Sequence, residues 1–306
     1  MAERRYEEEA RDSEFVGSDI NFKSSADAAG VPASLFCLAA KELRSLEALI
    51  KLATFNINNI NKRLDNLLAW LAKAKPDVVS LQELKAEHTA FPADALRRLG
   101  YESVWQGERS WNGVAILARD RVPVLTRSSL PGEPNDRQAR YIEAAVNGIL
   151  IASIYLPNGN PQPGPKFNYK LAWFERLIAH ASELMTAGVP VVLAGDYNVV
   201  PTAQDIYQTR SLDNNALVQP QSRQAFARLL SQGWTDALRR LHPDGPLWTF
   251  WDYERDRWTA NKGMRLDHFL LSPTMCDRLV DAGVDREVRG EVNASDHAPA
   301  WIVLDR

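Results

Sequence analysis

Residues 190–198 read PVVLAGDYN. A short apolar run bounded by Pro and Gly reads as a buried strand. It stops on an acid and an amide, and turn preference alone accounts for Gly, Asp and Asn in that place. The same ending recurs along the chain, in KLATFNIN (51–58), PDVVSLQE (76–83), NGVAILARD (112–120) and ILIASIYLPN (149–158). Helical spacing lies between some of these runs. Leu64, Leu67, Leu68 and Leu71 mark a helix over 62–74, and Leu171, Phe174, Ile178, Ala181 and Met185 mark another over 166–187. A helix near 222–231 and short strands at LDHFLL (266–271) and PAWIVL (299–304) follow. The strands are irregularly spaced and 112–158 has little helix. That pattern predicts an α/β fold of two mixed sheets packed face to face with outer helices, rather than a simple parallel array.

No repeat or second break in composition divides 51–306, which is expected to be one domain. Residues 1–50 differ in texture. The first thirty are polar, with EEE at 7–9, and are expected to be disordered. ASLFCLAAKELRSLEALI (33–50) has the spacing of an amphipathic helix. A secretory signal is not expected, because acids precede the apolar part and a charged helix follows it.

The composition bounds the function. The chain is 45% hydrophobic and 25% charged, ordinary for a globular protein, and no apolar run approaches the roughly 18 residues of a membrane span. Two cysteines, Cys37 and Cys276, cannot build a disulfide framework, which fits a cytoplasmic location. Taken as a total, the net charge of −3 disfavours a polyanion. Residues 1–50 hold six basic and ten acidic side chains, leaving 30 and 29 in 51–306, a net of +1. Charge therefore neither supports nor excludes nucleic acid.

The strand ends carry an uncommon inventory: Asn56, Glu83, Tyr155, Asn158, Asp196, Asn198, Asp267 and the pair Asp296–His297. Each alone is a turn, cap or salt-bridge residue. Together they place oxygen and imidazole groups, with no cysteine, at six separate strand termini. Oxygen-rich sets suit hard cations such as Mg²⁺, with Mn²⁺ the alternative; zinc would ask for more His or Cys.

The segments ATFNINNINKRL (53–64), DVVSLQELK (77–85), NGVAIL (112–117), IYLPNGN (154–160), LAGDYNVVPTAQD (193–205), FWDY (250–253), GMRLDHFLLS (263–272) and SDHAP (295–299) occur in this order. In them the sequence resembles the exodeoxyribonuclease III and abasic-site endonuclease family of the endonuclease/exonuclease/phosphatase superfamily, over about residues 51–306. The resemblance implies a DNase I-like four-layer α/β sandwich with its site at one edge of two packed sheets. It also implies a Mg²⁺-dependent DNA hydrolase of base-excision repair, with 3′→5′ exonuclease, abasic-site endonuclease and 3′-end-trimming activity. By similarity, Glu83 is the principal metal ligand, with Asn56 and Asp296. Asp196 orients and deprotonates the attacking water, and Asn198 positions water or a phosphate oxygen. His297 holds the scissile phosphate with its ring oriented by Asp267, while Tyr155 and Asn158 add hydrogen bonds. The implied partner is double-stranded DNA with abasic sites or 3′ ends, met by a monomer without a membrane.

Substrate contacts are expected from Lys85 and Arg140, and from Lys62, Arg63, Arg137, Lys262 and Arg265, all basic residues beside the motifs. Phe250, Trp251 and Trp258 are candidates for stacking on a base or filling an abasic gap; for Trp251, core packing competes. The superfamily also holds lipid phosphodiesterases, inositol-polyphosphate phosphatases and RNA deadenylases. Members that only bind nucleic acid should have lost Glu83 or the Asp196–Asn198 pair, and all three are present. Nothing in residues 1–50 resembles the family, whose members usually begin at the strand that starts here near Ile50.

Overall fold

A computed structural model of the chain describes residues 49–209 and 212–306. The chain forms β1 (Leu49–Asn56), α1 (Leu64–Ala74), β2 (Val78–Gln82), α2 (Ala93–Arg98), β3 (Tyr101–Gln106), β4 (Val114–Arg119), β5 (Val124–Arg127), β6 (Tyr141–Val146) and β7 (Ile149–Tyr155). It continues through α3 (Pro165–Ala187), β8 (Val191–Asp196), α4 (Pro220–Ser231), β9 (Thr235–Asp236), α5 (Ala237–Leu241), β10 (Asp267–Leu271), α6 (Pro273–Cys276), β11 (Leu279–Val284) and β12 (Ala300–Asp305). The helix expected over 33–50 lies outside the described residues except for Leu49 and Ile50, which open β1 instead.

Two six-stranded mixed sheets result, in the orders β11-β12-β1-β2-β4-β3 and β5-β6-β7-β8-β10-β9. Each is centred on one parallel pair joined by a helix: β1–α1–β2 in the first and β7–α3–β8 in the second. Parallel strands need such a crossover, and the two helices cover the outer faces. On α1, Leu67, Trp70 and Leu71 are buried, and they join Phe55, Val79 and Leu81 in one outer cluster. On α3, Trp173, Phe174 and Leu177 join Ile154, Leu193 and Phe226 in the other. Gly164 and Pro165 open α3, and Gly188 closes it at φ +67°, the ordinary left-handed ending of a helix.

The faces between the sheets change character along their length. Side chains alternate across a strand, so every second residue faces the partner sheet. Reading toward the C-terminal ends, β1 offers Leu52, Thr54 and Asn56, β2 offers Val78, Ser80 and Gln82, and β7 offers Ile151, Ser153 and Tyr155. β8 offers Val192, Ala194 and Asp196. The apolar end forms the inter-sheet core with Ile116, Ile142, Phe269 and Ile302. The middle is polar but satisfied: buried Gln82 donates to Thr54 Oγ1 (3.1 Å), Ser80 Oγ (2.9 Å) and Ser153 Oγ (3.2 Å). Such a layer is tolerated only because its donors are paired. Antiparallel register brings the start of β10 to the same edge, Asp267 opposite Asp196, and the start of β12 beside the end of β1, Ala300 opposite Thr54.

Behind β10 lies a buried ionic network. Asp205 Oδ1 accepts from Arg265 Nε (2.7 Å) and Arg239 Nη2 (2.5 Å), and Arg265 Nη1 reaches Asp236 Oδ2 (2.7 Å) and His268 Nδ1 (2.9 Å). Removing one partner from such a set costs about 3–5 kcal/mol, because a charge is left buried alone. Arg265, expected to face phosphate, is 1% exposed and belongs to this network. Among the described residues no helix is long and apolar enough to cross a membrane.

Gly195 has a firmer reason to be glycine than a tight loop. It lies inside β8 opposite Ile154 at φ +151°, and a Cβ there would stand 2.0 Å from the Ile154 carbonyl oxygen. We expect Gly195→Ala to lower stability by on the order of 3 kcal/mol, because that oxygen is backbone and cannot swing away. Chemical denaturation measures this, and a loss below about 0.5 kcal/mol, the size of an ordinary surface change, would contradict the close approach.

Candidate active site

Six chain segments meet at the polar edge of the two sheets. Asn56, ending β1, donates through Nδ2 to Glu83 Oε1 (2.9 Å) and to Asp196 Oδ2 (3.0 Å). Its Oδ1 accepts the backbone N–H of Asn58 (3.1 Å), so the amide nitrogen is what faces the two carboxylates. Tyr155, ending β7, donates its hydroxyl to Glu83 Oε1 (2.8 Å). Asp196 Oδ1 accepts the Asn198 N–H (2.8 Å), and its Oδ2 also accepts from Asn198 Nδ2 (3.1 Å). Asn158 Nδ2 donates to Asn198 Oδ1 (2.9 Å). His297 Nδ1 contacts Asp267 Oδ2 at 2.7 Å, and its Nε2 lies 3.8 Å from Asp196 Oδ2. Ser295 ties the segment before β12 to β1 by donating to the Asn56 carbonyl (2.7 Å).

The backbone is bent to serve this edge. Asn58, Glu83, Lys85 and Asn198 have φ of 48°, 51°, 48° and 46°. Left-handed backbone costs roughly 1–2 kcal/mol outside glycine, and it persists only where surroundings fix it. Here Lys85 N–H is held by the Asn112 carbonyl and Asn59 N–H by the Glu83 carbonyl, both at 2.8 Å.

Electrostatics separates the acids. Burial would raise the Glu83 pKa, but the Lys85 ammonium and the Asn56 amide overcome it and hold the pKa below its usual value. Burial pushes Asp196 up to about 7; Asp267 and Glu83 add to the rise and His297 opposes it. Burial would likewise discharge His297, yet Asp267 and then Asp196 raise its pKa to about 10. Burial and nearby Glu83 keep the Tyr155 phenol protonated, well above its usual range. The edge therefore presents an ionised carboxylate, a carboxylate poised near neutrality, an imidazolium and a phenol within one constellation.

Positive charge already sits against Glu83. Glu83 Oε2 is paired with Lys85 Nζ at 2.8 Å, and Lys85 Nζ also donates to Asn58 Oδ1 (2.6 Å). Asn58 Nδ2 in turn donates to Asp296 Oδ1 (2.9 Å). The ammonium marks where positive charge is wanted. No group of three or more His, Cys, Asp or Glu is placed to share an ion among the described residues. Glu83 and Asp296, with amides beside them, are the carboxylates that could hold a hard divalent cation, an ion type that keeps several waters and takes one or two carboxylates. Asn58 and the Lys85–Glu83 pair are absent from the sequence reading as parts of the ion's surroundings. The signal was the N-x-N spacing of Asn56 and Asn58.

Beside the constellation opens a cavity of about 240 Å³, lined by Asp196, Asn198 and His297 together with Leu217, Phe250 and Leu266. The Phe250 ring meets His297 edge-on at 5.0 Å. Trp251 does not join it. It is 1% exposed, set edge to face against Trp258, and its backbone carbonyl is capped by Arg289, so it packs the interior instead of offering a face for stacking. Arg140 is half-buried with its guanidinium 4.7 Å over the Tyr155 ring. Trp111, which the sequence reading passed over, is 72% exposed and lies 5.8 Å from the Lys85 ammonium. Behind the wall, fully buried Lys170 donates to the carbonyls of Asn198 (2.5 Å) and Pro157 (3.1 Å), joining the two loops that carry Asn198 and Asn158.

The endonuclease/exonuclease/phosphatase family matches residues 53–297, from the strand that bears Asn56 to His297 itself. The chain belongs to that family. It is 31% identical over 264 residues to exodeoxyribonuclease III of Haemophilus influenzae, covering 82% of this chain and 98% of the relative. Among solved structures it is similar to the 3′ phosphatase NExo from Neisseria bound to a product DNA hairpin, with a TM-score of 0.81 and 38% identity over 84% of this chain and all of that one. An AP endonuclease from Archaeoglobus fulgidus superposes with a TM-score of 0.80 at 34% identity, again over 84% of this chain and all of that one. These structures share the two mixed sheets flanked by helices, so the four-layer expectation holds.

The pairing of His297 with Asp267 carries a titration. The folded pKa of about 10 exceeds the ordinary 6.5, so its stabilisation is complete below 6.5 and lost as pH rises through about 10. Ring NMR signals of His297 should titrate near the upper value in the native protein and well below it in Asp267→Asn. A ring that titrates near 6.5 in both proteins would contradict the charge pairing.

Proposed function

We propose that the chain hydrolyses DNA phosphodiesters at abasic sites and 3′ ends, with Mg²⁺ bound at Glu83 and Asp296 beside Asn56 and Asn58. The observation that carries this reading is the placement of the Asp196 carboxylate, enclosed at the end of its strand, 3.8 Å from the His297 imidazole and bridged to Glu83 by Asn56. Burial raises the Asp196 pKa above the ordinary carboxylate value, which makes it a stronger proton acceptor toward water.

Asp196 accepts the proton of a water aimed at phosphorus, and Asn198 fixes the carboxylate's orientation through two hydrogen bonds to it. As the new P–O bond forms, the bond from phosphorus to the 3′ oxygen breaks, and that oxygen leaves with the bonding electron pair and takes a proton from solvent water to become a 3′ hydroxyl. Negative charge grows on the phosphate oxygens, where the His297 imidazolium and the Tyr155 hydroxyl act as donors. Asp267 holds the imidazole in place and keeps it charged. When bound, the metal supplies a Lewis acid at the phosphate oxygens. Asn158, held against Asn198, adds an amide beside the phosphate, and Lys85 beside Glu83 and Arg140 beside Tyr155 are the cationic side chains offered to the DNA backbone.

The substrate class rests on the relatives. Their names include an exodeoxyribonuclease, an AP endonuclease and a 3′ phosphatase. The three activities have one chemical event in common, cleavage at a phosphate attached to a 3′ oxygen.

Purified protein should incise an abasic duplex with Mg²⁺ and stop when EDTA is added. Glu83→Gln is expected to lower kcat at least ~100-fold and to raise the Mg²⁺ concentration giving half-maximal rate. An unchanged metal titration would remove Glu83 from the ion's surroundings. Asp196→Asn is expected to lower kcat by ~1000-fold or more while DNA affinity stays within a few-fold, since it removes the proton acceptor and leaves the side chains offered to the DNA backbone in place. Equal loss of binding and turnover would make Asp196 a structural residue.

A further inference from the structure

Between Asn158 and the cavity wall runs a chain of amides that the reaction above does not use. Asn160 Nδ2 donates to Asn158 Oδ1 (2.7 Å) and to Asn215 Oδ1 (2.9 Å), and its Oδ1 accepts the Ala216 N–H (2.9 Å). Asn215 Oδ1 also accepts the Leu217 N–H (3.0 Å). Asn215 and Leu217 line the cavity beside Asp196 and His297. Asn158 continues the chain to Asn198, and Asn198 to Asp196. Four side-chain hydrogen bonds therefore connect the reacting carboxylate to the wall of the cavity. Gly159 makes the junction possible: at φ +89° it turns the chain between Asn158 and Asn160, and a Cβ there would meet Lys170 Cδ at 2.6 Å.

The arrangement has a chemical consequence. A 3′ phosphate, an abasic site and an ordinary 3′ end present the same phosphate to the edge. They differ in what is attached on its far side: nothing, a sugar without a base, or a whole nucleotide. With the phosphate held at this edge, only the last two carry a group long enough to enter the adjoining cavity. A residue that sets the distance between phosphate-binding amides and cavity wall therefore sets discrimination among them.

We infer that Asn160 is a specificity-determining positioning residue. It fixes the 212–217 wall against Asn158, so that the cavity is sized for a sugar attached to the bound phosphate. This rests on the hydrolytic reading of the site. Amide geometry confers this because a buried or half-buried donor that loses its acceptor moves to find another, and here the moving part is the wall.

The test compares Asn160→Ala with the native protein on three duplexes: an abasic site, a recessed 3′ end and a 3′ phosphate. The ratio of kcat/KM on the abasic duplex to that on the 3′ phosphate is expected to fall roughly 10-fold, the loss of one or two hydrogen bonds felt by one substrate and not the other. Asn215→Ala breaks the same relay from the wall side and should shift the ratio in the same direction; it serves if Asn160→Ala does not fold. The double variant should shift the ratio no further than the larger single, because the two act on one link. Equal loss on all three substrates would assign Asn160 to catalysis or folding and overturn the inference, as would an unchanged ratio. A native protein inactive on all three would instead overturn the hydrolytic reading on which the inference rests.

Discussion

A carboxylate held out of water at the rim of two packed sheets governs the rest of this structure. Asp196 ends β8 fully enclosed, and a buried charge of this kind is tolerated only where hydrogen bonds surround it. Four donors approach it: two from Asn198, one from Asn56 and the more distant His297 ring. These donors come from three places in the chain. Asn56 needs β1 in parallel register with β2, and His297 needs β12 to start at the end of β1. Asp267, which holds His297, needs β10 antiparallel to β8. Sheet order, register and the Gly195 contact are therefore conditions for one enclosed proton acceptor to exist at this edge.

The same gradient that closes the core opens the site. Apolar side chains on the inter-sheet faces give way to Thr54, Ser80, Gln82 and Ser153, and then to the reacting groups. The polar middle layer separates a dry core from a charged edge without leaving its donors unpaired. Lys170 and the Asn160 relay perform the corresponding service behind the loops. Both spend their hydrogen bonds on backbone or amide groups that carry the residues nearest the phosphate.

The strands that end in functional groups were legible in the sequence because burial and catalysis reinforce one pattern there. PVVLAGDYN and PDVVSLQE are continuous apolar runs with polar stops, as a central parallel strand demands. β5 was not legible: all four of its residues are exposed at a sheet edge, so no alternation marks it. β11 mixes exposed and half-buried positions for the same reason. Side-chain fates were harder still. Arg265 sits among motif residues, and nothing local to GMR distinguishes a phosphate contact from the buried partner of Asp205 and Asp236, which lie 60 and 29 residues away in sequence. Trp251 is an aromatic beside the site in sequence and an interior residue in space. Asn58 and Asn160 went unremarked because an Asn in a loop is ordinary until its partners are known.

The central claim is that water, taken up by Asp196, attacks phosphorus and expels a 3′ oxygen. Incision of an abasic duplex in water enriched in ¹⁸O, followed by mass spectrometry of both fragments, tests it most directly. The account predicts one ¹⁸O atom in the new terminal phosphate and an unlabelled 3′ hydroxyl on the other fragment. Cleavage that leaves an unsaturated sugar on the 3′ side and no label in the phosphate would show elimination instead of hydrolysis, and would contradict the account.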